Sequence, residues 1–264
     1  MKENTTADAT NAPWPYPRWI AHRGAGKLAP ENTLAAFRLG ASHGYRMFEC
    51  DVKLSSDSEA FLLHDATLHR TTNAVTCLPA AGETMVAGEH AWATLAQLDA
   101  GSWHSPAYAG ERLPTLEEIA AWCLANDCFL NIEIKPTPGT ERKTGEAVAR
   151  RAAQLWQSSA VPPLLSSFQP EALAGARTAA PALPRALLLD KLAPDWLDTA
   201  QMLRCVAVVC QHTLWNAETV AQAKGAHLRC LSYTVNSEEE VQRLWSLGTD
   251  AIITDRVDAF DPAS

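Results

Sequence analysis

Positive charge is scarce in this sequence: 22 lysines and arginines face 30 aspartates and glutamates, a net charge of −8 over 264 residues. A general nucleic-acid binder would carry a basic stripe, so that class is excluded, although a few local cations suffice for one small anion. Long apolar runs are missing too. None is long enough to cross a bilayer, and the N-terminal "MKENTTADATNAPWPYPRW" lacks the apolar centre that a signal peptide needs. The seven cysteines, Cys50, Cys77, Cys123, Cys128, Cys205, Cys210 and Cys230, are odd in number and none has C-x-x-C spacing. That argues against a disulfide framework and a zinc knuckle; several sit in apolar, strand-like runs, where a free thiol acts as a small hydrophobe. Internal repeats and low-complexity tracts are absent. These absences leave a cytoplasmic protein without stable membrane insertion, with residues 1–17 a flexible leader and 259–264 a short tail.

What is present is a rhythm. Hydrophobic residues make up 47% of the chain, enough for a large core. Short apolar runs read as strands at 18–22, 47–54, 128–135, 163–168, 184–190, 204–210, 227–235 and 250–255. Helical patterns lie between most of them, clearest in "ENTLAAFRLGASHG", "ERKTGEAVARRAAQLWQ", "NAETVAQAKG" and "NSEEEVQRLWSLG". Asn216 and Asn236 fall at expected N-caps, and Gly44, Gly225 and Gly248 at expected helix ends. Strands alternating with helices, eight in number, predict a (β/α)8 TIM barrel over residues 18–258. The rival is an open doubly wound sheet, disfavoured because no G-x-G-x-x-G turn follows the first strand. Between Leu54 and Cys128 the rhythm breaks. "SEAFLLH" (58–64) reads as an extra strand, and residues of about 65–113 as a small inserted subdomain or lid before the helix "TLEEIAAWCLAN".

Charges stand where a closed parallel sheet should be apolar. "MFECDVKL" carries Glu49, Asp51 and Lys53; "CFLNIEIK" carries Asn131, Glu133 and Lys135. Side chains on a strand alternate faces, so Glu49 and Asp51 share one side, as do Glu133 and Lys135, while Cys50 faces away and packs. On neighbouring strands three carboxylates would converge and repel, which a bound divalent cation resolves; an all-oxygen set suits Mg²⁺ or Ca²⁺ rather than Zn²⁺. The bland alternative is a set of buried ion pairs, Glu133 with Arg23 for instance. Paired charges at matching ends of two strands make it the minority reading. His22 and Arg23 end the first strand and His64 ends the extra one, so the same mouth would hold two imidazoles and two cations, Arg23 and Lys135. That set fits phosphoryl chemistry: cations on phosphate oxygens, imidazoles as acid and base. The loop Gly24–Pro30 and the start of the helix after "PENT" offer backbone N–H groups to an anion, and Asn32 reads equally as a contact or a simple cap. His43, His69, His90, His104, His212 and His227 carry no assigned role.

The stretches "AHRG", "PENT", "FECDVKLSSDSEAFLLHDATLHRTTN", "NIEIKP", "SYTVN" and "AIITDRVD" resemble the glycerophosphodiester phosphodiesterases, most closely the bacterial cytosolic type, from Trp19 to Asp258. The resemblance implies a (β/α)8 barrel with an insertion after the second strand. It implies His22 and His64 as the acid/base pair, Glu49, Asp51 and Glu133 as ligands of one Mg²⁺ or Ca²⁺, and Arg23 and Lys135 on the substrate phosphate. Phe168 and Tyr233 would line the mouth. Two positions depart from the family pattern: Ser58 stands where a turn glycine is usual, and Tyr233 where tryptophan is common. The implied reaction turns a small-molecule glycerophosphodiester and water into sn-glycerol 3-phosphate and an alcohol, with either water or the glycerol 2-hydroxyl attacking phosphorus. Rivals are a sphingomyelinase D-like or phosphoinositide phospholipase-like enzyme, a non-catalytic polyol-phosphate binder, and a structural scaffold. Oligomeric state stays open, the exposed helices of a barrel often supporting a homodimer.

Overall fold

The computed structural model describes residues 14–78 and 84–263. The chain runs β1 (Trp19–Ala21), α1 (Leu34–Ser42), β2 (Met47–Leu54) and β3 (Ala60–Leu62), then two single-turn helices, α2 (Ala74–Cys77) and α3 (Trp92–Leu95). It continues through α4 (Leu116–Ala125), β4 (Phe129–Ile134), α5 (Glu141–Leu155), β5 (Leu164–Ser167), α6 (Pro170–Ala179) and β6 (Arg185–Leu189). It ends with α7 (Trp196–Met202), β7 (Ala207–Gln211), α8 (Ala217–Gly225), β8 (Arg229–Tyr233), α9 (Glu238–Leu247) and β9 (Ala251–Thr254). Eight parallel strands close into a barrel in the order β1-β2-β4-β5-β6-β7-β8-β9, and β3 hangs antiparallel on β2. The (β/α)8 expectation is met; the open sheet is not, because β1 pairs with both β2 and β9.

Period-two alternation divides the core in two. One face of the strands fills the barrel with Ile20, Met47, Leu164, Leu188, Val209 and Ile253; the other meets the helices through Phe48, Ile132, Leu165, Val208 and Ile252. A third cluster, among them Phe61, Leu68, Leu95, Leu98 and Leu113, holds the excursion between β3 and α4 together. α5 and α6 press close because Gly145 has no side chain: a Cβ there would lie 1.9 Å from the Ala172 carbonyl oxygen.

Local punctuation departs from expectation at two helix ends and settles the open one at α1. The cap of α9 is Ser237, not Asn236, and the cap of α1 is Thr33, not Asn32. Both asparagines serve the mouth instead. Gly225 is the last residue of α8 and its end turns through His227 at φ 60°, whereas Gly248 does close α9 in the left-handed region. Asn216 caps α8 as read, in a reciprocal box with Thr219. Residues 1–13 of the expected leader lie outside the described residues, but its last part is not loose. Tyr16 is buried beneath the barrel, edge-on to Phe129, its hydroxyl donating to the Pro162 carbonyl at 2.9 Å. Among the described residues no helix is long and apolar enough to cross a membrane.

Candidate active site

Register brings the acids together. Asp51 lies opposite Glu133 and Glu49 opposite Asn131 across the β2–β4 pairing. All of them point into the barrel near the C-terminal strand ends, where barrel sites are built. Glu49, Asp51 and Glu133 are buried and each offers a carboxylate oxygen within 4.8 Å of the others. Burial first, then the neighbouring acids, push Glu49 well above the usual carboxylate range and Glu133 up to about 7. Burial acts on Asp51 in the same direction, but Arg23 and Lys135 outweigh it and hold Asp51 at about 2. Glu49 Oε1 is buried with no hydrogen-bond partner. Hard oxygens, mutual repulsion and an unpartnered buried oxygen are the conditions that a divalent cation satisfies, so the triad can hold one.

Each expected histidine is clamped by an aspartate that the sequence reading left without a role. His22 Nδ1 donates to Asp255 Oδ1 at 2.7 Å, which leaves Nε2 facing the triad, 3.8 Å from Glu49 Oε2. Asn236 fixes Asp255 from two sides, its Nδ2 donating to the carboxylate at 3.0 Å and its Oδ1 accepting the Asp255 N–H at 2.9 Å. Gly26, at φ 57°, closes the packing; a Cβ there would sit 2.1 Å from the Asp255 carbonyl oxygen. His64 Nδ1 donates to Asp65 Oδ1 at 2.7 Å, and Arg70 grips the same carboxylate through two nitrogens. Burial lowers the His64 pKa, Asp51 pulling against it. The Leu63 N–H bond to the Asp51 carbonyl, 3.0 Å, fixes how β3 delivers His64 to the mouth.

The cations are already engaged. Arg23 takes up the left-handed region at φ 51°, its N–H donating to Glu49 Oε2 at 3.1 Å. Its guanidinium reaches Glu31 at 2.9 Å and Asp51 at 3.3 Å. The Arg23–Glu133 pair considered from sequence is not among the ion pairs of the described residues. Glu31 also pairs with Arg70, so a chain of charges links both histidine neighbourhoods. Lys135 reaches Glu133 at 3.0 Å and Asp51 at 3.6 Å. Asn32, at φ 59°, holds Asp51 rather than capping α1: its Nδ2 donates to the carboxylate at 2.8 Å and its Oδ1 accepts the Asp51 N–H at 3.0 Å. Backbone strain of this kind concentrates at working sites.

At the start of α1, Glu111 accepts the Ala35 N–H and Thr33 caps Ala36. In the preceding loop the Gly26 N–H donates to the His22 carbonyl and the Leu28 N–H to the Ala25 carbonyl. Phe168 lines the cavity at the mouth, and Tyr233 packs edge-on against it at 5.7 Å with its hydroxyl on the Leu189 carbonyl. Lys53, on the same face as Glu49 and Asp51, also lines that cavity. Burial, then Lys135, bring its pKa down to about 8. The residues missed from sequence thus had signals: Asp65 directly follows His64, and Lys53 follows Asp51 by two.

A (β/α)8 barrel with a buried acidic triad at its C-terminal mouth, flanked by two Asp-clamped histidines, has the layout of a barrel enzyme with acid/base groups beside a cation site. Comparison with known proteins narrows it. The glycerophosphoryl diester phosphodiesterase family matches residues 22–259. A glycerophosphodiester phosphodiesterase of Caldanaerobacter subterraneus is 33% identical over 243 residues, 89% of this chain and 93% of its own. One from Bacillus subtilis is 28% identical over 256 residues, 91% of this chain and 84% of its own. The solved Oleispira antarctica phosphodiesterase, in complex with the product sn-glycerol-3-phosphate, superposes with a TM-score of 0.81 at 32% identity, covering 91% of this chain and 93% of that one. The chain belongs to the glycerophosphoryl diester phosphodiesterase family and is an enzyme of that kind, a phosphoric diester hydrolase.

Proposed function

We propose that this enzyme hydrolyses glycerophosphodiesters such as glycerophosphocholine and glycerophosphoethanolamine to sn-glycerol 3-phosphate and the free alcohol, with His22 and His64 as the acid/base pair. The observation that carries the reading is the meeting of three buried carboxylates within 4.8 Å of one another beside His22, whose Nε2 faces them. Glu49, Asp51 and Glu133 would hold one Mg²⁺ or Ca²⁺. When bound, the cation supplies positive charge to the phosphoryl oxygens. With the triad's charge met in that way, Arg23 and Lys135 would be free to hold the phosphate.

The protein's own groups then move the protons. One imidazole accepts the proton of the attacking hydroxyl, from water or from the glycerol 2-hydroxyl, and the other donates to the departing alkoxide. Asp255 and Asp65 fix the tautomers: each accepts an Nδ1–H, so each Nε2 is the working atom. The seven cysteines are free and six of them buried, which accords with a reducing, cytoplasmic setting.

The test is release of glycerol 3-phosphate from glycerophosphocholine by purified protein, with and without EDTA. Turnover that EDTA abolishes and Mg²⁺ or Ca²⁺ restores is expected. His22→Ala and Glu133→Ala should each lower it by about 10²-fold or more. Turnover indifferent to EDTA, or both variants at the wild-type rate, overturns the reading.

A further inference from the structure

Four cations crowd the mouth, and three of them have acid partners: Arg23 with Glu31 and Asp51, Lys135 with Glu133 and Asp51, Arg70 with Glu31 and Asp65. Lys53 has none. It is 3% exposed, and its Nζ makes one contact, to the Lys135 carbonyl oxygen at 3.4 Å; among the described residues no carboxylate comes within 4 Å of it. A buried ammonium without an anion is costly unless a ligand completes it.

Lys53 does not face a sealed interior. With His64, Lys135, Phe168 and Gln169 it lines a cavity of about 510 Å³ that opens on the β2, β4 and β5 side of the mouth. The cavity thus begins at one of the two proton-transfer groups and extends away from His22, which stands on the β1 side with Asp255. Carboxylates line it too, but they are taken: Glu133 pairs with Lys135 and Asp65 with His64 and Arg70, so Lys53 is the charge there without a partner within 4 Å among the described residues.

Resting on the function proposed above, we propose that this cavity receives the leaving alcohol and that Lys53 selects alcohols that carry their own anionic group. Glycerophosphoethanolamine and glycerophosphoserine form a matched pair, differing by one carboxylate. The wild-type enzyme should favour the serine diester in kcat/KM by about tenfold, the worth of one charged hydrogen bond. Lys53→Met and Lys53→Gln should each bring that ratio to near one, and Lys53→Arg should keep it. A wild-type ratio at or below one overturns the inference. So does a ratio unchanged in the Met and Gln variants, or an equal loss on both substrates, which would place Lys53 on the diester they share. Hydrolysis of neither diester by wild-type protein would instead sink the functional reading, and this inference with it.

Discussion

At the scale of single residues, the site depends on groups that never touch the triad. His22 could turn freely at the end of β1 were its ring not held at Nδ1 by Asp255, which is held in turn by Asn236. Misdirecting an acid/base group forfeits much of its catalytic contribution without removing substrate contacts. Asp255→Asn is therefore expected to lower kcat on the order of 10²-fold while leaving KM within a few-fold. Asn236→Ala should shift kcat the same way by less, since it leaves the aspartate in place. Steady-state kinetics with a circular-dichroism check of folding decides this. A loss confined to KM would mean that Asp255 serves substrate binding rather than the ring. The sequence showed His22 but not its clamp, because Asp255 lies at the far end of the chain and only barrel closure brings β9 beside β1.

Among elements, the β2–β3 hairpin carries an ordinary residue in an unfavourable backbone region. Its turn places Ser58 at φ 72°, a region natural to glycine, with Ser58 exposed and its N–H on the Ser55 carbonyl at 3.0 Å. Register is regular all the same: Val52 faces Leu62, and the Leu63 N–H bonds the Asp51 carbonyl. Left-handed conformation costs an ordinary residue about 1–2 kcal/mol, and glycine returns part of that through its freer unfolded chain. Ser58→Gly is thus expected to stabilise by about 0.5–1 kcal/mol, a rise of about 1–3 °C in Tm, with activity kept. A thermal melt that shows no rise would mean that the turn is not strained. Elements of this fold were readable wherever a local signal sufficed: the strands from their apolar runs, α9 from its closing Gly248. Reading failed at Asn236, where a residue good at capping had been taken into the site, stayed open at Asn32 for the same reason, and failed at Tyr16, whose burial depends on Phe129 and Pro162, distant in sequence.

For the whole molecule, alternation on two strands was enough to place the triad, because neighbouring barrel strands must bring their inward acids to one level. What alternation could not reveal was the electrostatic consequence, which needs burial and distance. With no metal, the fold confines three carboxylates that repel one another. Glu49 and Glu133 then carry pKa values raised above those of the unfolded chain, about 4.3 for a glutamate. A carboxyl raised on folding contributes stability that is complete below the unfolded value and is lost as pH climbs through the folded one. The window runs from about 4.3 up through about 7 for Glu133, with Glu49 acting in the same direction. Asp51 acts in the opposite sense, but its contribution is lost only as pH falls towards about 2, so it stays constant across this window. His64, lowered by burial, gains with pH and offsets part of the loss. A divalent cation competes with protons for the ionised triad, so its binding strengthens as pH rises. The Tm of EDTA-treated protein is therefore expected to fall between about pH 5 and pH 8, and saturating Mg²⁺ or Ca²⁺ to raise it by more at the upper end than at the lower. Glu133→Gln should flatten the metal-free slope and weaken the metal's effect together. A metal-induced rise that shrinks as pH increases would contradict the account, because protons and cation would then not be competing for the same carboxylates.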